Sequence, residues 1–183
     1  KRKLPSVINE IGILNLGSIG DNVLMSATIL DLRQKYPDSK IRIFTGSSNY
    51  DIVKMIPTVD EIVKLPITNF LQTKKIIDNY KSFDVFVDFG PWPRINAIYS
   101  YLFSSKFKIG FKTKNQFRHY IYDQAIEHSG KKHEVDNHRN LIRFIYDGVH
   151  NNPRLVVTEF DLTRFGIDAT QKIAVFHPWS AGL

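Results

Sequence analysis

Asn15–Pro37 reads NLGSIGDNVLMSATILDLRQKYP and follows an apolar run, Ile11-Gly12-Ile13-Leu14, with the pattern of a buried strand. A glycine loop, Gly17-Ser18-Ile19-Gly20, leads to a carboxylate at Asp21. Val23, Leu24, Ala27 and Leu30 then recur at helical spacing until Tyr36-Pro37-Asp38 stops the helix. A strand, a glycine loop and a helix in this order open an alternating α/β chain.

The rest of the sequence keeps the alternation. Strands are expected at Lys40–Thr45, Glu61–Leu65, Asp84–Asp88 and Phe107–Phe111, with a last one at Lys172–Phe176. Helices are expected at Tyr50–Met55, at Phe70–Tyr80 with Leu71, Ile76, Ile77 and Tyr80 inward, at Arg94–Phe103, and at His133–Tyr146 with Leu141, Ile142 and Ile145 inward. The connections are mostly short, which predicts a Rossmann-like parallel sheet with helices on both faces. Ligands of such sheets sit at the carboxyl ends of the strands. Gly17–Asp21, Asp88–Gly90 and His177–Gly182 fall at such ends.

Glycines between a strand and a helix let a ligand approach the backbone. The loop is neither Gly-x-Gly-x-x-Gly nor followed by Gly-Lys-Ser/Thr, so neither a dinucleotide fingerprint nor a P-loop is present. Asp21 has two readings at this point. An acid in the first turn steadies a helix against its dipole by about 0.3–1 kcal/mol. An ionised Asp at the same place can also act as a general base.

Composition narrows the classes. The 183 residues are 43% hydrophobic and 23% charged, enough for a proper core. No apolar run is long enough to span a bilayer, and no signal-peptide pattern follows the basic start. Cysteine is absent, which excludes disulfides, thiolate nucleophiles and Cys-ligated zinc, and fits a cytoplasmic protein. The net charge is +7, and the segment from Phe89 to Tyr122 holds six basic residues and no acid: Arg94, Lys106, Lys108, Lys112, Lys114 and Arg118. The remainder is nearly neutral, so the pattern points to one surface that meets an anionic partner, or to a solvated lysine-rich loop.

Leu-Gly-Ser-Ile-Gly-Asp-Asn-Val-Leu (16–24), Phe-Asp-Val-Phe-Val-Asp-Phe-Gly (83–90), Lys-Ile-Gly-Phe (108–111), His-Glu-Val-Asp (133–136) and Phe-His-Pro (176–178) follow one another along the chain. In motif, order and spacing this resembles the family 9 glycosyltransferases, the lipopolysaccharide heptosyltransferases, from Gly12 onward. The resemblance implies the N-terminal, acceptor-side half of a GT-B enzyme, with residues 1–183 as one Rossmann-like domain. The C-terminal donor domain is then absent, because the chain ends at its expected start, about 177–183, and the fragment is expected to be inactive alone. Trp179 stands where the family has a glycine after His-Pro, and Gly17 where it often has a serine.

By the same resemblance Asp21 is the catalytic base. Ser18, Gly20, Arg94, Lys106, Lys112 and His133 are expected to bind the acceptor, and Gly17 and Ser180 the donor. The implied reaction is an inverting transfer of a heptose or related sugar from a nucleotide-sugar, ADP-heptose, to a phosphorylated lipopolysaccharide-core acceptor. The transition state is oxocarbenium-like. No metal or other cofactor is implied. The implied place is the cytoplasm or the inner face of the inner membrane, with the apolar helix Ile95–Phe103 as core or as a membrane contact. His133 and His138 are not a metal pair, because five helical positions set them about 140° apart. Asp88 anchors a loop or touches the acceptor. The rival readings are a hexose transferase of the same fold and a non-catalytic Rossmann-like module that binds anions or nucleic acid. No recognised nucleic-acid-binding motif supports the latter.

Overall fold

The computed structural model describes residues 2–92, 94–157, 162–168, 170, 172–174 and 176. Ser180 and the His177-Pro178 pair lie outside the described residues.

Among the described residues six strands form one parallel sheet: β1 (Glu10–Asn15), β2 (Lys40–Thr45), β3 (Glu61–Lys64), β4 (Phe83–Asp88), β5 (Ser105–Lys112) and β6 (Gln124–Glu127). Their order is β3-β2-β1-β4-β5-β6. β1 lies at the centre, with Ile11 paired to Ile41 on one side and to Val85 on the other. Successive strands are laid down outward from β1 on one side and from β4 on the other, so the crevice at the carboxyl ends of β1 and β4 is the switch point of the sheet. The loops after Asn15 and Asp88 flank it.

Among the described residues five helices cover both faces: α1 (Ile19–Lys35), α2 (Tyr50–Val53), α3 (Phe70–Asp78), α4 (Arg94–Leu102) and α5 (Glu134–Ile142). Side chains alternate along a strand, so each strand feeds two cores. Ile11, Ile13, Val85 and Val87 join Met25, Ile29 and Leu32 of α1, Val53 of α2 and Leu141 and Ile142 of α5. Leu14, Phe44 and Phe86 join Ile77 of α3 and Tyr99 of α4. The second core is an aromatic cluster: Phe44 and Phe86 each place their ring centroid 4.4 Å from that of Phe103. Gly12 exists because of it, since a Cβ there would lie 2.5 Å from the Phe86 ring.

Three expectations are corrected. No described residue of 172–176 belongs to a strand, and the sheet's sixth position is taken by β6 instead. Leu71 is 76% exposed, whereas Thr73 turns inward because its Oγ1 donates to the Pro66 carbonyl at 2.8 Å. In α1 the fully buried apolar side is Met25, Ala27, Ile29 and Leu32, while Val23, Leu24 and Leu30 are half-buried. That helix packs on the sheet and against α5 and α2, so it buries a wider arc than one stripe.

Candidate active site

The carboxyl edge of the sheet gathers three polar groups. The first is the loop between β1 and α1. Asn15 Oδ1 accepts from the Gly17 N–H at 3.0 Å, which turns the chain sharply off the strand. Ser18 is the N-cap of α1 and Asp21 its third residue, and the two form a capping box. Asp21 Oδ2 accepts from the Ser18 N–H at 2.8 Å and from its Oγ at 3.0 Å. Asp21 Oδ1 has no hydrogen-bond partner among the described residues, and the side chain is half-buried.

The two loop glycines differ. A Cβ on Gly17 would lie 2.7 Å from Asp21 Oδ2 and 3.0 Å from Asn15 Oδ1, so Gly17 is a glycine because the carboxylate folds back over it. A Cβ on Gly20 would meet only Ser18 Oγ, at 3.9 Å. The space over Gly20 is open.

The second group lies at the end of β4. Asp88 is fully buried, and its Oδ1 accepts from the Gly90 N–H at 3.0 Å. Its Oδ2 accepts from Arg118 Nη2 at 2.9 Å and from the Tyr122 hydroxyl at 2.5 Å. Burial pushes the Asp88 carboxyl above the ordinary carboxylate range, against the pull of Arg118 and of its hydrogen bonds. Asp88 thus anchors a loop. Arg118 and Tyr122 come from a 3-10 turn and the residue after it (Arg118–Ile121, then Tyr122), which the sequence pattern did not indicate.

The third group is the start of α5. His133 is the N-cap, its Nδ1 accepting from the Val135 N–H at 3.3 Å. Glu134 behind it holds His128, whose Nε2 lies 2.9 Å from Oε2, and accepts from Asn137 Nδ2 at 3.0 Å. His138, one turn on, is 1% exposed, with its ring set edge-on to Phe89 at 5.2 Å between centroids. Its Nε2 stands 3.5 Å from Glu134 Oε1. Burial lowers its pKa to about 4, although the charges of Glu134 and Asp21 pull the other way. A neutral imidazole therefore lies within the electrostatic reach of Asp21. The sequence signal for this cluster is the spacing of Glu134 and His138, i and i+4, which sets the two on one face of α5, whereas His133 and His138 point apart. No group of three or more His, Asp or Glu side chains among the described residues is placed to hold a metal ion.

The basic segment is divided up. Lys106 lies at the start of β5 with its Nζ 2.7 Å from Asp84 Oδ1 at the start of β4, the edge of the sheet opposite Asp21. Lys108 is buried and donates to the Ser100 and Phe103 carbonyls at 2.5 and 2.9 Å, closing the end of α4. Burial lowers its pKa to about 8. Arg118 serves Asp88. Arg94, Lys112 and Lys114 remain exposed toward the carboxyl edge, with Lys112 opposite Glu127 in the β5–β6 register. Of the expected site residues, Gly17, Ser18, Gly20 and Asp21 share the turn from β1 into the first turn of α1, Arg94, Lys112 and His133 sit at other points of the same edge, and Lys106 does not join them.

No protein-family model and no curated protein sequence matches the chain. Solved structures do. The glycosyl transferase family 9 protein from Veillonella parvula superposes with a TM-score of 0.73 at 14% identity, over 91% of this chain and 52% of that one. E. coli ADP-heptose lps heptosyltransferase II gives 0.70 at 12% identity, over 87% and 51%. E. coli heptosyltransferase WaaC with ADP gives 0.63 at 16% identity, over 75% and 48%. The chain therefore has the Rossmann-like α/β fold found in these glycosyltransferases and spans about half the length of each.

Proposed function

We propose that this chain is the acceptor-side half of an inverting glycosyltransferase. It moves a heptose or related sugar from a nucleotide-sugar such as ADP-heptose to a phosphorylated lipopolysaccharide-core acceptor. The observation that carries this is the placement of Asp21. One carboxylate oxygen is held by Ser18 while the other has no partner among the described residues, in the turn at the switch point of the sheet.

In this reaction Asp21 takes the proton of an acceptor hydroxyl as that oxygen forms its bond to the anomeric carbon. The bond from that carbon to the nucleotide diphosphate breaks on the opposite face, which inverts the centre. The capping box at the start of α1 holds the Asp21 carboxylate in place, and it accepts the proton late, when the attacking oxygen has become acidic. Ser18 and Gly20 line the approach of the acceptor, and Arg94, Lys112 and His133 offer cationic and polar contacts to its phosphates. Gly17 acts through Asp21, and Ser180 is assigned to the donor with the second domain. The nucleotide-sugar is a substrate and no cofactor takes part. The reaction belongs on the cytoplasmic side of the inner membrane.

The test is transfer of labelled heptose from ADP-heptose to a phosphorylated core oligosaccharide by a protein that joins this chain to a donor-binding domain. Transfer with inversion supports the proposal, and the 183-residue chain alone should give none. A two-domain protein that binds both substrates without transferring sugar overturns it.

A further inference from the structure

Gly17 is held from both sides. Its N–H donates to Asn15 Oδ1 at 3.0 Å, and its carbonyl accepts from Asn49 Nδ2. Both asparagines are buried. A carbonyl can only accept, so the Asn49 amide must turn its nitrogen toward Gly17. The sheet brings the two loops together. Asn15 and Thr45 are register partners at the carboxyl ends of β1 and β2, and the chain turns off each strand just beyond them.

Asn49 is also the N-cap of α2, where an asparagine ordinarily bonds the first free N–H groups of its own helix. Its side chain makes no such bond. It reaches instead to Gly17, 32 residues away in the chain. The Gly17 carbonyl belongs to the same peptide unit as the Ser18 N–H, which donates to Asp21 Oδ2 at 2.8 Å. That unit is planar, so a bond that fixes its C=O also fixes the direction of its N–H. A hydrogen bond at the carbonyl also polarises the N–H and strengthens its bond to the carboxylate.

We infer that Asn49 is a positioning residue for Asp21, acting through the Gly17–Ser18 peptide, on the reading of Asp21 as the base proposed above. Without Asn49 this peptide can rotate, and the carboxylate loses its aim.

Asn49→Ser tests it. Serine is an equally good N-cap and adds no charge, but it is too short to reach Gly17. In the 183-residue chain the Gly17 and Ser18 amides should exchange roughly tenfold faster, as expected for loss of one hydrogen bond. The Ile43 and Phe44 amides of β2 should not change, which shows that the variant folds. In a two-domain protein kcat should fall by about 10–100-fold, with KM for the nucleotide-sugar unchanged. In an Asp21→Asn background the same substitution should cost nothing further, because its effect passes through the lost carboxylate. Unchanged exchange at Gly17 and Ser18 overturns the inference. So does a normal kcat, or an equal loss of kcat with and without Asp21. If Asp21→Asn itself keeps its turnover, the base assignment falls and the positioning role falls with it, whereas the other outcomes reject Asn49 alone.

Discussion

Arg118 Nη2 lies 2.9 Å from Asp88 Oδ2, and neither side chain reaches solvent. A buried charge without its partner is far more costly than the pair is worth. Arg118→Met therefore leaves the Asp88 carboxylate in a dry site at the switch point. The expected loss is about 3–5 kcal/mol in urea unfolding. A loss below about 1 kcal/mol, typical of exposed pairs, shows that water reaches Asp88.

Gly110 faces Asp88 in the β4–β5 register and supports the same network from below. A Cβ there would lie 2.2 Å from Cζ of Tyr122. Gly110→Ala must push the ring whose hydroxyl holds Asp88, so it should cost about 1–3 kcal/mol. The contrast is Gly20→Ala, where the nearest atom is 3.9 Å away. That substitution should leave the melting temperature nearly unchanged or slightly raised, since alanine also favours the helix. Equal losses at both positions contradict this account of the glycines.

The contrast marks what sequence could reveal. The fold was legible because β1, β2 and β4 are short apolar strands bounded by turns, and because the alternation of strands and helices permits few topologies. β6 was not legible: Gln-Ala-Ile-Glu buries only Ile126 and gains its place by pairing with β5 at the edge. The loop from Gly17 to Asp21 announced itself through local chemistry. The basic segment misled because a charge count does not see partners. Asp88 is thirty residues from Arg118, and the carbonyls that hold Lys108 belong to a helix end. Such pairings become visible only once the strands are in register.

His138 supplies a pH test. Its folded pKa is lowered to about 4 by burial from an ordinary 6.5. Between these values the unfolded chain takes up a proton that the folded chain refuses. Stability is thus full above about pH 6.5 and falls as the pH drops toward about 4, by roughly 3 kcal/mol at most. His138→Gln should flatten that part of the profile. Urea midpoints of both proteins across the window check it; parallel profiles mean that other groups carry the acid sensitivity.

The last prediction separates the two roles of Asp21. Its Oδ2 closes the capping box with Ser18, which alone justifies an acid at this position. Ser18→Ala removes the cap side chain and leaves the Asp21 charge in place. It should cost about 0.5–2 kcal/mol of stability. In a two-domain protein it should weaken acceptor binding and lower turnover far less than loss of the Asp21 carboxylate does. Asp21→Asn keeps the size and can still accept from the Ser18 N–H, so its stability loss should be no larger. It cannot take a proton, and turnover should fall by about 10²–10⁴-fold, the range for a positioned acid or base. Acceptor binding should change little, because the Asn side chain fills the same space. Measuring melting and turnover on both variants decides the matter. A base gives two variants with similar melting and very different rates. If instead the rates fall together in proportion to stability, Asp21 is a helix cap and the proton goes elsewhere.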